Sequence, residues 1–467
     1  MGKVKIKKKE TRIDMTAMSD VTVLLLTFFM LTSTFLQKEP VQVITPPSVS
    51  EEKVPIANLL SVLVSPEGKI YLEVLGSQDS TDNKRKGSEN VRANMLQNMA
   101  EQYNQLHPGA NISFTPEELT TFSKCNAFGV PIVHMKEWLN MPTDLRDKQL
   151  EAGPGVPIDM NEDPNKPNEF QMWVKAAYNS IDDELQEAVV KGTGIAIKAD
   201  QSTPYSVVNV VMDNLQTIKF NKFTLMTALK TEEEEDMAIK SKSRQKKFDT
   251  RIDFTPMVDM NMLLITFFML CTTMIKSQTL QIALPSNEKV EQEQKNKVKE
   301  SEAITIIIDG KVDDKGMAIP EEGMLYYYEG KPETANLAQG ESNMKQAEFG
   351  SKQGAYDAIR GILQERNKEV VLKVNDLKKK WKEEGFSNIK EKNDSLYQLE
   401  RKKVMNDSTL KRPVVIIKAT PNASYANVVS VLDEMQINSI NRYQIDRINE
   451  VDSAMMIMVK AKNELKK

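Results

Sequence analysis

The chain is poor in the residues that build reactive or cross-linked sites. It has two cysteines and two histidines in 467 residues. Cys125 lies in a polar region and Cys271 in an apolar run, so no disulfide framework is expected. So few thiols and imidazoles argue against a transition-metal site. There is no phosphate-cradling glycine loop, no HExxH and no GxSxG. No nucleophile–base set stands out, so neither an enzyme nor a cofactor is expected. An excess of one charge is also missing. Lys and Arg number 62 against 66 Asp and Glu, a net −4 that gives nucleic-acid binding no support. Mean hydropathy is −0.44, the balance of a mostly water-facing chain. At 467 residues the chain exceeds one ordinary core, so two or more domains are expected.

Long apolar runs are scarce too, and the two that occur are copies of one another. Residues 12–35 read RIDMTAMSDVTVLLLTFFMLTSTF, and 251–274 read RIDFTPMVDMNMLLITFFMLCTTM, identical at 14 of 24 positions with a shift of 239. The runs 17–36 and 256–275 are expected to be helices of membrane length, about 20 residues each. Thr16 and Thr255 stand at the N-cap positions, and Pro256 at the first helical position suits a residue without an N–H. A signal peptide does not account for the first run, because no small-x-small cleavage site follows it and its copy is internal. Lysines crowd the N-terminal flank of both runs, at Lys3 to Lys9 and Lys240 to Lys247, so both helices are expected to point N-in, C-out. Two helices of one orientation need a return crossing, and 37–256 offers no apolar run for it. The acidic stretch 232–236 followed by Met237 reads as an end and a fresh start. The halves 1–236 and 237–467 are therefore expected to behave as two proteins.

Each apolar run carries one acid near its start, Asp20 and Asp259. Steps of seven from Asp20 reach Thr27 and Thr34, and from Asp259 reach Thr266 and Thr273. Such steps keep to one helix face with about 20° of drift. An Asp–Thr–Thr stripe on a Leu/Phe/Met surface is expected to face protein or water rather than lipid. The residues alone leave two readings open. A carboxylate there can load and release a proton and so couple proton flow to helix motion. Equally, an acid in a first helical turn is favoured by the helix dipole. Asp14 and Asp253 precede the caps, beside Arg12 and Arg251, and are read as interfacial.

The pattern of a basic tail, R-I-D-x-T-x-M-x-D and LLxTFFML resembles the membrane segment of the ExbD/TolR family, in both copies. The resemblance implies a proton-carrying subunit of an inner-membrane energy-transducing complex, with Asp20 and Asp259 at the family's essential aspartate. It implies ExbB/TolQ-like ring subunits and a TonB- or TolA-like protein as partners, basic tails in the cytoplasm and the bulk in the periplasm. A stator of another proton-driven machine (motility or envelope constriction), or a passive scaffold anchored to peptidoglycan, is the alternative.

The likeness between the halves continues outside the apolar runs. Val41–Pro46 aligns with Leu280–Pro285, alternating and closed by Pro, which suggests either an extended segment or a plain linker. Strand pairs are expected at 59–64 with 69–75 and at 303–308 with 324–328. Strand–helix–strand blocks are expected at 194–225 and 414–445, with Tyr205, Asp213 and Gln216 matching Tyr425, Asp433 and Gln436 at a shift of 220. Insertions separate these features. Helices are expected at 90–106, 116–123, 131–139, 170–190 and 354–364, a strand at 369–374, and a charged helical stretch at 376–400. His134, Trp138, Trp173 and Tyr178 read as packing.

The expected fold class is thus α+β: two single-pass transmembrane helices, each followed by a small α/β periplasmic domain with helical insertions. The expected order is a basic tail 1–16, a first span 17–36, a Pro-rich linker 37–58, a first domain 59–230, a junction with a second basic tail 231–255, a second span 256–275, a linker 276–300 and a second domain 301–467. The two halves could pair with each other, and the insertions could meet peptidoglycan or a partner protein.

Overall fold

The computed structural model describes residues 39–50, 52–53, 59–76, 87–161, 163–229, 277–283, 303–314, 316–332, 342–348, 355–383, 390–407 and 409–464, with Leu24 and Thr27. Leu24 and Thr27, both helical, belong to a unit formed by Met1–Lys38 and Thr231–Lys276. The numbered elements belong to the other compact unit, Glu39–Lys230 with Ser277–Lys467. Its described residues form twelve helices and two sheets, of eight and five strands.

The expectation of two membrane-spanning helices is corrected here. Among the described residues no helix is long and apolar enough to cross a membrane. The longest, α1 (Ser88–Leu106, 19 residues), carries Glu89, Arg92 and Glu101 and buries one face, made of Val91, Arg92, Met95, Leu96, Met99 and Ala100. The runs 17–36 and 256–275 lie outside the described residues, apart from Leu24 and Thr27. What the structure describes is an α+β protein of amphipathic helices on two sheets.

The two halves share one core topology. In the first, β3 (Leu59–Val64) pairs antiparallel with β4 (Ile70–Leu75) and parallel with β6 (Ile195–Ala199), which pairs parallel with β7 (Lys222–Leu229). In the second, β9 (Ala303–Val312) pairs antiparallel with β10 (Ala318–Glu329) and parallel with β12 (Val414–Ala419), which pairs parallel with β13 (Tyr443–Arg447). The parallel neighbours β6 and β7, and β12 and β13, are joined by single helices, α7 (Tyr205–Thr217) and α11 (Tyr425–Ile437), as a parallel connection requires. All six residues of β3 (LLSVLV) are buried, the pattern of a strand covered on both faces. Its turn into β4 is closed by Gly68 at φ +82°, whose N–H donates to Ser65 O at 2.9 Å.

Small additions widen the sheets. In the first half, β5 (Ala127–Phe128) follows β4, and β1 (Pro47–Ser48) lies parallel to β7. In the second, β11 (Lys345–Glu348) follows β10. The outer edge of β7 is covered by β8 (Ser277–Ala283), antiparallel over seven residues, and β2 (Glu52–Lys53) pairs with β8. A strand from the second half's linker therefore completes the first half's sheet.

The first insertion keeps the expected helices with one break, and adds a helix at Thr143–Ala152 that is not among those expected from the sequence. It comprises α1, α2 (Pro116–Ser123), α3 (Ile132–Leu139), α4 (Thr143–Ala152), α5 (Glu169–Ser180) and α6 (Asp183–Lys191). Thr115 caps α2 in a reciprocal box with Glu118, and Asn168 does the same for α5 with Gln171. The stretch 170–190 is not one helix, because Ile181 is extended and Asp182 starts a new one. Trp173, fully buried, meets Phe122 and Phe128 with ring centroids 6.2 and 4.6 Å away. Trp138 is buried as expected. His134 is not core, since its side chain is 63% exposed, 3.8 Å from Glu137.

The second insertion comprises α8 (Ala355–Arg366), α9 (Lys368–Glu383) and α10 (Lys390–Asn406). The strand expected at 369–374 is helical. Val370 and Val374, one turn apart, are buried while Leu372 is 54% exposed, a burial spacing of four rather than two. Tertiary packing overrides the β-branched composition here.

A last helix, α12 (Glu450–Glu464), covers one face of the second sheet. Met455 and Met456 pack on Ile307, Tyr326 and Tyr328. An ion pair with both side chains buried fixes it: Lys418 Nζ lies 2.5 Å from Asp452 Oδ2, with exposures of 8% and 0%. Tyr328 donates to the other oxygen at 2.9 Å, and its own hydroxyl is pushed up to about 12, first by burial. Asp452→Asn strands a buried ammonium and is expected to destabilise the protein by about 3–5 kcal/mol, whereas the apolar pair Lys418→Met/Asp452→Leu recovers most of it. Denaturant unfolding of the two variants checks both outcomes.

Candidate functional site

The geometry that unites the two halves is a pair of reciprocal backbone bonds. Tyr205 N–H donates to Ala423 O at 2.8 Å, and Tyr425 N–H donates to Thr203 O at 2.9 Å. Pro204 and Ser424 form an antiparallel bridge between them. Each residue faces its counterpart at a shift of 220, which is a local two-fold relation between non-identical halves. Both tyrosines start a helix, and both rings are buried. Burial pushes both hydroxyls upward, for Tyr205 with help from the Asp213 charge.

The matched acids of these helices each reach into the opposite half, but to different ends. Asp213 accepts from Arg447 Nη2 of β13 at 2.7 Å and from Asn209 at 2.9 Å. Asp433 accepts from Ser48 Oγ at 2.6 Å and from the Val49 N–H at 3.2 Å, on the linker that follows the first apolar run. Ser48 and Ser50 are buried, and Ser50 Oγ donates to Thr279 O of β8 at 2.6 Å. Both linkers, 39–53 and 277–283, thus meet at β7 and the start of β8, beside α11.

Further bonds hold the first linker to its own half. Glu39 pairs with Lys198 of β6. The Ile44 N–H donates to Asp200 Oδ2 at 2.8 Å, and the Gln201 N–H to Ile44 O at 2.8 Å. Lys198 and Lys418 correspond at the shift of 220, and each meets a carboxylate, Glu39 on the linker in one half and Asp452 on α12 in the other.

Of the residues singled out from sequence, Asp20, Asp259, Thr34, Thr266 and Thr273 lie outside the described residues. Thr27 is helical, and its Oγ1 donates to Leu24 O at 2.9 Å within the helix. Of the stripe, only Thr27 is among the described residues. The structure adds residues that the stripe did not include: Asp213, Asp433, Ser48 and Lys198. The shift of 220 already paired Asp213 with Asp433, but the contact of Asp433 with Ser48 joins positions 385 apart. Among the described residues no cluster of His, Cys, Asp and Glu is arranged to hold a metal. Cys125 is half-buried with Arg146 Nη1 at 3.8 Å, and burial pushes its thiol upward, away from the reactive thiolate.

The model of the biopolymer transport protein ExbD/TolR family matches residues 7–125 and 245–448. That covers most of the chain, in two copies, and the chain belongs to this family. No curated protein and no solved structure matches it. The family is one of membrane-associated transport components, so the chain falls in energy transduction for biopolymer transport.

Asp433→Ala removes the acceptor for both Ser48 and Val49. A loss of about 1–3 kcal/mol is expected, with faster hydrogen exchange at the Val49 amide. Asp213→Ala is expected to leave Val49 exchange unchanged and to cost no more than about 1 kcal/mol through its exposed Arg447 partner. Site-resolved hydrogen exchange on the two variants distinguishes these outcomes.

Proposed function

We propose that this chain is the proton-coupling component of an inner-membrane energy-transducing complex, with Asp20 and Asp259 as its proton carriers. One observation carries the reading: an acid recurs at the same place in two apolar runs that otherwise admit almost no charge. A lone first-turn acid needs no function, but the same acid within RIDxTxMxD in both copies of a biopolymer transport family supports one. Thr27, Thr34, Thr266 and Thr273 would lie toward the ring subunits that grip these segments.

The partners that fit are ExbB/TolQ-like ring subunits and a TonB- or TolA-like protein that acts on the outer membrane. The packing of the halves, through the reciprocal bonds at Tyr205 and Tyr425 and the β7–β8 ladder, supports a further step. One chain supplies both acids of a pair. The two acids are then not equivalent, because the linkers behind them are tied differently. The first is held by Glu39–Lys198, Asp200 and Asp433, and the second by a seven-residue ladder.

Asp20→Asn and Asp259→Asn, together, are expected to abolish energised uptake under iron limitation while leaving protein level and the melting temperature unchanged. A passive scaffold predicts normal uptake in the double variant. The single variants are expected to differ from each other, and uptake assays of each against the double variant measure that difference.

A further inference from the structure

The lysine common to the two inner parallel strands is fastened differently in each half. In the second, Lys418 of β12 pairs with Asp452, and Tyr328 of β10 donates to the same carboxylate at 2.9 Å. In the first, Lys198 of β6 pairs with Glu39 at the head of the first linker. The strand registers identify the third member. Leu60 faces Ile195 and Ile304 faces Val415, two positions related by the shift of 220, so Ser61 corresponds to Thr305. Ser61 faces Glu73 of β4, just as Thr305 faces Tyr328. Glu73 therefore stands where the second half has a tyrosine.

That exchange replaces a fixed donor by a switchable one. The Tyr328 hydroxyl, pushed up to about 12 first by burial, stays neutral and supports the carboxylate that holds the lysine. A glutamate can donate only while protonated; once ionised it accepts only and adds a negative charge. The charged groups that face Glu73 are Arg92 of α1, Glu39 of the linker and Lys198 of β6. Arg92 is engaged elsewhere, donating to Val74 O at 3.0 Å and to Ser123 O at 3.1 Å. Among the described residues no hydrogen bond holds the Glu73 carboxyl. Ionised Glu73 thus attracts Lys198 and repels Glu39, the two members of the linker's ion pair.

We propose that Glu73, Lys198 and Glu39 form a proton-operated latch on the first linker. With Glu73 neutral, Lys198 holds Glu39 and the linker is fastened. With Glu73 ionised, Lys198 turns toward it and the linker is freed. The proton exchanges with bulk water. Glu39 follows the apolar run 17–36 closely in the chain, so the latch acts on the stretch next to that run. In the second half a tyrosine takes the switchable position, and Lys418 holds α12 rather than a linker.

Burial pushes the Glu73 carboxyl upward, against the charges of Arg92 and Lys198 and with that of Glu39. Its contribution is full while it holds its proton and is lost as pH rises through the raised value. Glu39 must be ionised for the pair to exist, so the latch is closed in the window where Glu39 has lost its proton and Glu73 has not. Asp200, which accepts from the Ile44 N–H, moves the linker the other way, since its ionisation strengthens that bond. The latch stands whether or not Asp20 and Asp259 carry protons, because its readout is the linker and not uptake.

The test is hydrogen exchange of the purified full-length chain in detergent, corrected for intrinsic rates, at the amides of Val41–Thr45. Their protection is expected to fall about threefold or more between about pH 5 and 8, while the amides of β8 keep theirs. Glu73→Gln, which stays neutral, is expected to hold the low-pH protection throughout, and Glu73→Asp to retain a pH dependence. Lys198→Met is expected to lower protection at every pH. A flat wild-type profile, an unchanged profile in Glu73→Gln, or an equal fall at β8 overturns the proposal. The wild-type profile decides by itself if a variant does not fold.

Discussion

The antiparallel ladder between β7 and β8 is the constraint on which the described architecture rests. A sheet edge offers a row of unpaired backbone groups, and β7 would be such an edge if its own half stood alone. The strand that covers it, Ser277–Ala283, comes from the other half. Leu280 and Ile282 enter the core beside Phe223 and Leu225. The ladder thereby couples apolar burial to backbone pairing, and the reciprocal bonds at Tyr205 and Tyr425 can persist beside it. Ser50 then reaches Thr279, and the first linker joins the same junction.

The halves are alike in topology and unlike in what their matched residues do. The same helix position carries Asp213 and Asp433. One binds a half-exposed arginine on a strand, the other a buried serine on a linker. The same strand position carries Lys198 and Lys418, one reaching Glu39 and the other Asp452. Duplication supplied two copies of one scaffold, and each copy fastens a different neighbour with it. The α12 helix shows the cost of such divergence, since its buried ion pair is worth little unless both partners stay.

Much of the scaffold could be read in the residues. The strands around LLSVLV and AITIII, the blocks GIAIKA and VVIIKA, and the helices after Tyr205 and Tyr425 lie where alternation and the shift of 220 placed them. So does the helix opened by Thr115 and Glu118. Sequence and structure part where local composition and packing disagree. Val370, Val371 and Val374 favour a strand, yet the buried pair one turn apart makes a helix. A remote partner leaves no local trace: nothing in Ser277–Ala283 says that its ladder lies on Lys222–Leu229, and nothing near Ser48 points to Asp433. The proton-carrying acids rest on repetition and family membership, because Asp20 and Asp259 lie outside the described residues.

The reciprocal bonds at Tyr205 and Tyr425 have a consequence for assembly. Two separate subunits would meet with a probability that falls on dilution and would lose translational freedom on meeting. Here both faces belong to one polypeptide, so the encounter is unimolecular and its effective concentration is fixed by the intervening residues. Within one chain the pair is always one of each kind, and forming it requires no second chain.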